Sequence, residues 1–186
     1  AAIPTNSSAA PNIRDLNVNT VLQNINLLNT YYSGAQQNAE ALNTYSTRAS
    51  SYRTDPDFNQ QSADELSAFQ TNVLGFQTVL AQLGADKGLA NYDKSNDLET
   101  LLKNMVNLNK DVLSYTTALV YVIPVLGPIL GPIVYEIKCL LDEILDATEN
   151  LTDGLLNALE PMLRPLIGDY LKAACASGIE VVGICL

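Results

Sequence analysis

From residue 13 onward the apolar positions of the chain recur at alternating steps of three and four, the period of a helix that buries one face. Val18, Val21, Ile25, Leu28, Tyr32, Ala35, Ala39, Leu42, Tyr45, Ala49 and Tyr52 form one such stripe, with Asn, Gln, Ser and Thr on the other faces. Gly34 does not shift the phase, so the pattern predicts one long helix, bent at Ser33-Gly34 if anywhere. Arg53-Thr54-Asp55-Pro56-Asp57 breaks it, because a proline disfavours helical geometry at the residue before it. Ser62-Ala63-Asp64-Glu65 fits a capping box at the start of a second helix, whose stripe is Leu66, Phe69, Val73, Phe76, Leu80 and Leu83, with Gly84 placed for a C-terminal cap.

After a polar loop over 84–95, Asn96 and Glu99 offer a cap for a third helix with the stripe Leu98, Leu101, Met105, Leu108, Val112, Tyr115, Leu119 and Val122. Its last turns lose their polar face and are expected to be buried all round. The run Val122-Ile123-Pro124-Val125-Leu126-Gly127-Pro128-Ile129-Leu130-Gly131-Pro132-Ile133 repeats Leu-Gly-Pro-Ile, and no charge occurs between Val112 and Tyr135. That length suffices for a membrane span. Three prolines within one continuous helix would cost about 3 kcal/mol each, so the segment reads as an apolar connector, with Pro132 in the first turn of a fourth helix. Val134, Ile137, Leu141, Ile144 and Leu151 supply that helix's stripe, and Glu136, Asp142, Glu143, Asp146 and Glu149 its solvated face. Pro161 and Pro165 predict a kink or restart, leaving a short helix over 166–175 and an extended tail. The fold expected is an all-α bundle of four long and one or two short helices. Residues 1–12 form an N-terminal arm and 13–186 a single bundle domain.

Composition narrows the function. Twenty acidic residues against ten basic ones give a net charge of −10, which opposes binding to nucleic acid and to anionic bilayers. The chain has no histidine, which removes His-based triads and His-ligated metals. No phosphate-cradling glycine loop, nucleophile elbow or spaced oxygen-ligand loop occurs, so neither an enzyme, a catalytic cofactor nor a metal is expected.

The small residues of Ala-Ala-Ile-Pro suggest a chain processed for export, and the sequons at Asn6 and Asn150 are glycosylation candidates in an extracellular protein. Cys139, Cys175 and Cys185 are disulfide candidates. Helical phase puts Cys139 on the acidic face, so it is expected to be oxidised, either to Cys175 or Cys185 or across a homodimer. A Cys175–Cys185 bridge is the alternative.

Three tyrosines beside the proline-glycine connector suggest a pocket, since proline brings no amide donor needing a partner and tyrosine adds aromatic surface with one polar tip. The candidate ligand-binding residues are Tyr115, Leu119, Tyr121, Ile123, Leu130 and Tyr135, with Phe69, Phe76 and Met105 as neighbours. The function expected is a secreted binding protein enclosing an apolar small molecule such as a lipid, terpenoid or pigment. A surface-active or membrane-active protein that adsorbs to hydrophobic surfaces is the alternative.

The low-charge helices over 13–83 and the leucine-rich run Leu140-Leu141-Asp142-Glu143-Ile144-Leu145 resemble secreted fungal helical proteins. These are the hydrophobic-surface-binding family and the cell-wall mannoproteins that enclose fatty acids. The connector and tyrosines also make the chain similar to a mushroom chromoprotein carrying a terpenoid pigment. This resemblance implies a secreted bundle around an apolar ligand. The connector and the three cysteines depart from the family's pattern and leave ligand type and pocket position open.

Overall fold

The structure, a computed structural model, describes residues 13–85 and 95–177, and every element among them is helical. The helices are α1 (Ile13–Arg48), α2 (Pro56–Ala85), α3 (Ser95–Val122), α4 (Gly127–Glu149) and α5 (Asp153–Ala176), with single 3-10 turns at Ala49–Ser51 and Pro124–Leu126. The all-α bundle is therefore observed, with five long helices. Both ends of the chain, including Asn6 and Cys185, lie outside the described residues.

Burial follows the apolar stripes. Leu66, Phe69, Val73, Phe76, Leu80 and Leu83 of α2 are all within 1% of complete burial, as are Leu28, Ala35 and Leu42 of α1. α1 runs unbroken through Gly34, and the glycine has a packing role instead. A β-carbon there would lie 2.8 Å from the Asn72 side-chain oxygen, and one at Gly75 would collide with the Tyr31 ring. Each glycine is thus a notch that receives a side chain of the other helix. Asn72 Nδ2 donates to Asn38 Oδ1 at 2.8 Å and Asn38 Nδ2 to Glu65 Oε2 at 3.0 Å, extending the α1–α2 seam with two amides and a carboxylate.

Several boundaries differ from the sequence pattern. α2 begins six residues before the expected capping box, at Pro56 in the first helical position, where its missing amide hydrogen is no loss. Asp55 is the residue that caps it, accepting from the Asp57 amide at 2.9 Å. Ser62 is fully buried inside the helix and donates to the Phe58 carbonyl at 2.9 Å. Gly84 is a buried helical residue packed near Asn150, not a terminal cap. α4 starts at Gly127 with Pro132 inside it, and α5 runs through Pro161 and Pro165 without a break. All these prolines are exposed, so solvent can satisfy the carbonyls they leave without a donor. Thr152 caps α5 by accepting from the Leu155 amide at 3.2 Å.

Two expectations about the connector and its helix are corrected. The end of α3 is not buried all round: Tyr121 is 88% exposed, and Val125 and Ile129 beyond it are 63% and 47% exposed. Cys139 is a half-buried free thiol within this chain, so it is not bridged to Cys175 or Cys185, while Cys175 is disulfide-bonded. The acidic face of α4 is solvated as expected. There Lys138 bonds Asp142 at 2.6 Å, which raises the lysine pKa, and Gln70 of α2 donates to Glu136 at 2.6 Å.

Packing places the helices in a closed ring, in the order α1, α2, α4, α5, α3 and back to α1. The α1–α2 and α4–α5 pairs are broad contacts, and α3 with α5 is the sparsest pair around that ring. The segment Pro124–Glu149 is long and apolar enough to cross a membrane by length and composition. Its inner positions Leu130, Ile137 and Leu141 are nevertheless fully buried in the bundle.

Candidate binding site

The site begins with small side chains. Along α3, Lys110, Leu113, Ser114 and Thr117 recur at helical spacing just outside the core stripe, and on α5 Asp169, Lys172, Ala173 and Ala176 do the same. Ser, Thr and Ala cannot fill the space between two helix axes as Leu or Phe would. The two stripes face each other across an open, mainly apolar groove of 430 Å³. A second hollow of 240 Å³ continues it toward the other end, between Val106 and Asn107 of α3 and Pro161, Met162, Pro165 and Leu166 of α5. Lys110 and Asp169 border both. Residue numbers rise together on the two walls, so α3 and α5 run parallel here, as two helices separated by one antiparallel α4 must.

The core of α3 also holds buried polar side chains, one of them at its contact with α5. The fully packed stripe of α3 is Leu98, Leu102, Met105, Asn109, Val112, Thr116, Leu119 and, just beyond the helix, Ile123. Asn109 and Thr116 occupy core positions in it, 0% and 3% exposed. Asn109 Nδ2 donates to the Met105 carbonyl at 2.8 Å, which fixes the amide's orientation because a carbonyl can only accept. Asn109 Oδ1 and Thr116 Oγ1 then have no hydrogen-bond partner. Leaving such an oxygen unpaired in a core costs about 1–3 kcal/mol. Tyr170 of α5, also fully buried, reaches across the seam and donates its hydroxyl to the Asn109 backbone carbonyl at 2.5 Å. Burial pushes the Tyr170 phenol well above its ordinary pKa, so it remains a donor.

The residues singled out from the sequence divide into three groups. Phe69, Phe76, Met105, Leu119, Ile123 and Leu130 are all within 2% of complete burial and belong to one continuous apolar core. Tyr115 and Tyr135 are half-buried against that core, and Tyr121 points away from any enclosed position, at 88% exposure. The connector thus fills the interior with aliphatic side chains and leaves its most prominent tyrosine in solvent. A third hollow, of 220 Å³ at the α1–α2 corner, is framed by Tyr45, Tyr52 and Phe58. It is a packing corner: the Tyr52 and Phe58 rings stack at 5.0 Å and Arg48 covers Tyr52.

Compared with known protein families, curated proteins and solved structures, the chain matches none.

Proposed function

We propose that this protein is a non-enzymatic binding protein that holds an apolar small molecule along the α3–α5 seam. The observation that carries this reading is the 430 Å³ groove at the sparsest seam of the ring, walled by Leu113, Ala173, Ala176 and the aliphatic stems of two lysines. Small-molecule sites fall in the range of about 300–1,000 Å³ and are mostly apolar with few polar groups. The connector residues favoured by the sequence pattern are less suitable, because the core there would have to open to admit a ligand. Burying apolar ligand surface contributes about 25 cal/mol per Å², so useful affinity needs no charged partner.

An extracellular setting suits this role: Asn150, in the sequon before Thr152, is exposed. The test is organic extraction of purified protein with native mass spectrometry and an absorption spectrum, followed by binding of an apolar fluorescent probe. Stoichiometric ligand or saturable probe binding is expected. Ala176→Phe and Thr117→Phe, both at exposed groove positions, should weaken binding at least tenfold with unchanged helicity. Unaltered binding in both variants places the ligand elsewhere.

A second reading has its own observation. Tyr121, Val125 and Ile129 are exposed within the charge-free segment from Val112 to Tyr135, apolar surface suited to a neutral oil or lipid interface. If adsorption is the function, replacing all three by Ser slows adsorption to an oil–water interface while groove binding is retained.

A further inference from the structure

We propose that the α3–α5 groove takes an anionic amphiphile in one orientation, its head group at the end bordered by Lys110 and Lys172 and its hydrocarbon tail toward Thr117 and Ala176. This rests on the preceding assignment of an apolar ligand to the seam and names that ligand's charge and direction. The chain as a whole repels anions, with twenty acidic residues against ten basic ones. Elsewhere its cations are neutralised on their own helices: Lys103 pairs with Glu99 at 3.3 Å, Lys138 with Asp142 at 2.6 Å and Arg164 with Glu160 at 2.6 Å. Lys110 and Lys172 differ. Both are exposed, neither forms an ion pair with a described carboxylate, and they line the same groove from opposite helices. The positions one turn away are Val106 and Ser114 for Lys110, and Gly168 and Ala176 for Lys172, so the usual partner on the same helix is missing. Asp169 is the one carboxylate on the groove wall, which leaves the wall net positive on a strongly acidic chain.

The groove is graded along its length. Lys110, Asp169 and Lys172 stand at the end where the residue numbers are lowest, and Leu113, Ala173, Thr117 and Ala176 follow with no charge among them. From Lys110 to Thr117 the wall runs about 10 Å along α3. Tyr121 continues the row of Lys110, Ser114 and Thr117 at helical spacing, so its exposed ring stands on the same face of α3 one turn beyond the groove. The connector packs at this end: a β-carbon at Gly127 would lie 3.6 Å from the Val120 side chain and 3.7 Å from the Ser177 backbone. Because α3 and α5 run parallel, both present their C-terminal carbonyls there, and that negative end opposes an anion while leaving a hydrocarbon unaffected. Charge and helix polarity thus agree on the direction. The apolar wall supplies affinity for the tail, and the two lysines select the head group.

The experiment is calorimetric titration of the full chain with decanesulfonate and decyltrimethylammonium, equal tails with opposite fixed charges, both kept below micelle-forming concentrations. The wild type should bind the sulfonate more tightly, although the net charge of the chain favours the cation. Lys110→Gln and Lys172→Gln should each weaken the sulfonate about two- to fivefold, the range of one exposed ion pair, and leave the ammonium unchanged or tighter. Asp169→Asn should do the opposite and tighten the sulfonate. Thr117→Phe, at the tail end, should weaken both ligands alike. All four positions are exposed, so the variants should keep the wild-type helicity, which circular dichroism checks. Added salt should erode the preference, since exposed charges are screened. Equal or cation-favouring affinity in the wild type, or a preference that survives both lysine replacements, overturns the inference and leaves a groove that selects the tail alone. Methanesulfonate, the head group without the tail, should not bind; if it binds as tightly as decanesulfonate, the site is one for a free anion and the inference fails. Binding of neither detergent overturns the groove reading itself, and this inference with it.

Discussion

Tyr170 shows how much a single side chain can settle in this bundle. It is the largest fully buried side chain among the described residues, and its hydroxyl joins two helices that otherwise meet sparsely. Tyr170→Phe should lower stability by about 1 kcal/mol, the typical net value of a neutral hydrogen bond, without changing the fold. Its pH dependence has a definite sign. The folded phenol's pKa lies above the unfolded value of about 10, so the contribution is complete below pH 10. Above pH 10 the unfolded chain releases a proton that the folded one keeps, and stability falls. Denaturant titrations at pH 7 and pH 11 should therefore show the wild type's advantage over Tyr170→Phe shrinking at the higher pH. A constant gap means the phenol is solvated. Its neighbours mark where the sequence pattern stops being informative: apolar periodicity runs α3's stripe through Leu108 and Tyr115, one residue before the buried polar Asn109 and Thr116. Only packing shows that they are inside.

At the scale of the element, legibility depended on how many residues share in the signal. The stripes of α1 and α2 were readable because a register error would expose a whole row of apolar side chains, and Leu66 to Leu83 are buried at the predicted spacing. Helix ends rest on one or two residues, and there a weaker cue misled: Ser62 and Glu65 have a cap's spacing, yet Asp55 with Pro56 starts α2 earlier. A proline is a similarly weak cue, since Pro132 lies inside α4 rather than in its first turn and Pro161 and Pro165 bring no restart. Pro132, Pro161 and Pro165 face solvent, where water compensates the lost backbone bond, and their helices continue. Gly34, where the pattern allows a bend, is a notch instead, as is Gly75. Gly75→Ala should destabilise by about 1–3 kcal/mol because its β-carbon meets the Tyr31 ring, despite the better helix propensity of alanine. In a Tyr31→Ser background the same change should be neutral or stabilising, since the collision is gone. Thermal unfolding of the four proteins of that cycle measures the coupling, and additive effects would mean the ring moves aside at no cost.

Across the whole molecule the consequential feature is an uneven ring. Four of its five seams are broad, while the α3–α5 seam is lined by Ser, Thr and Ala and held at its centre by the Tyr170 hydrogen bond. Local opening follows the distribution of buried contacts, and binding sites tend to fall where it is cheapest. Opening here separates two parallel helices without disturbing the α1–α2 pair, whose notches and amide network lock it independently. Hydrogen exchange under native conditions should therefore show residues 106–117 of α3 and 161–176 of α5 exchanging by sub-global opening, faster than the cores of α1 and α2. Adding a bound amphiphile should slow exchange in those two segments first, since a molecule seated between them supplies the contact the seam lacks. Equal protection of all five helices, unchanged by ligand, would show that the ring is as firmly closed at α3–α5 as elsewhere. The groove would then be a dent in the surface with no coupling to the core behind it.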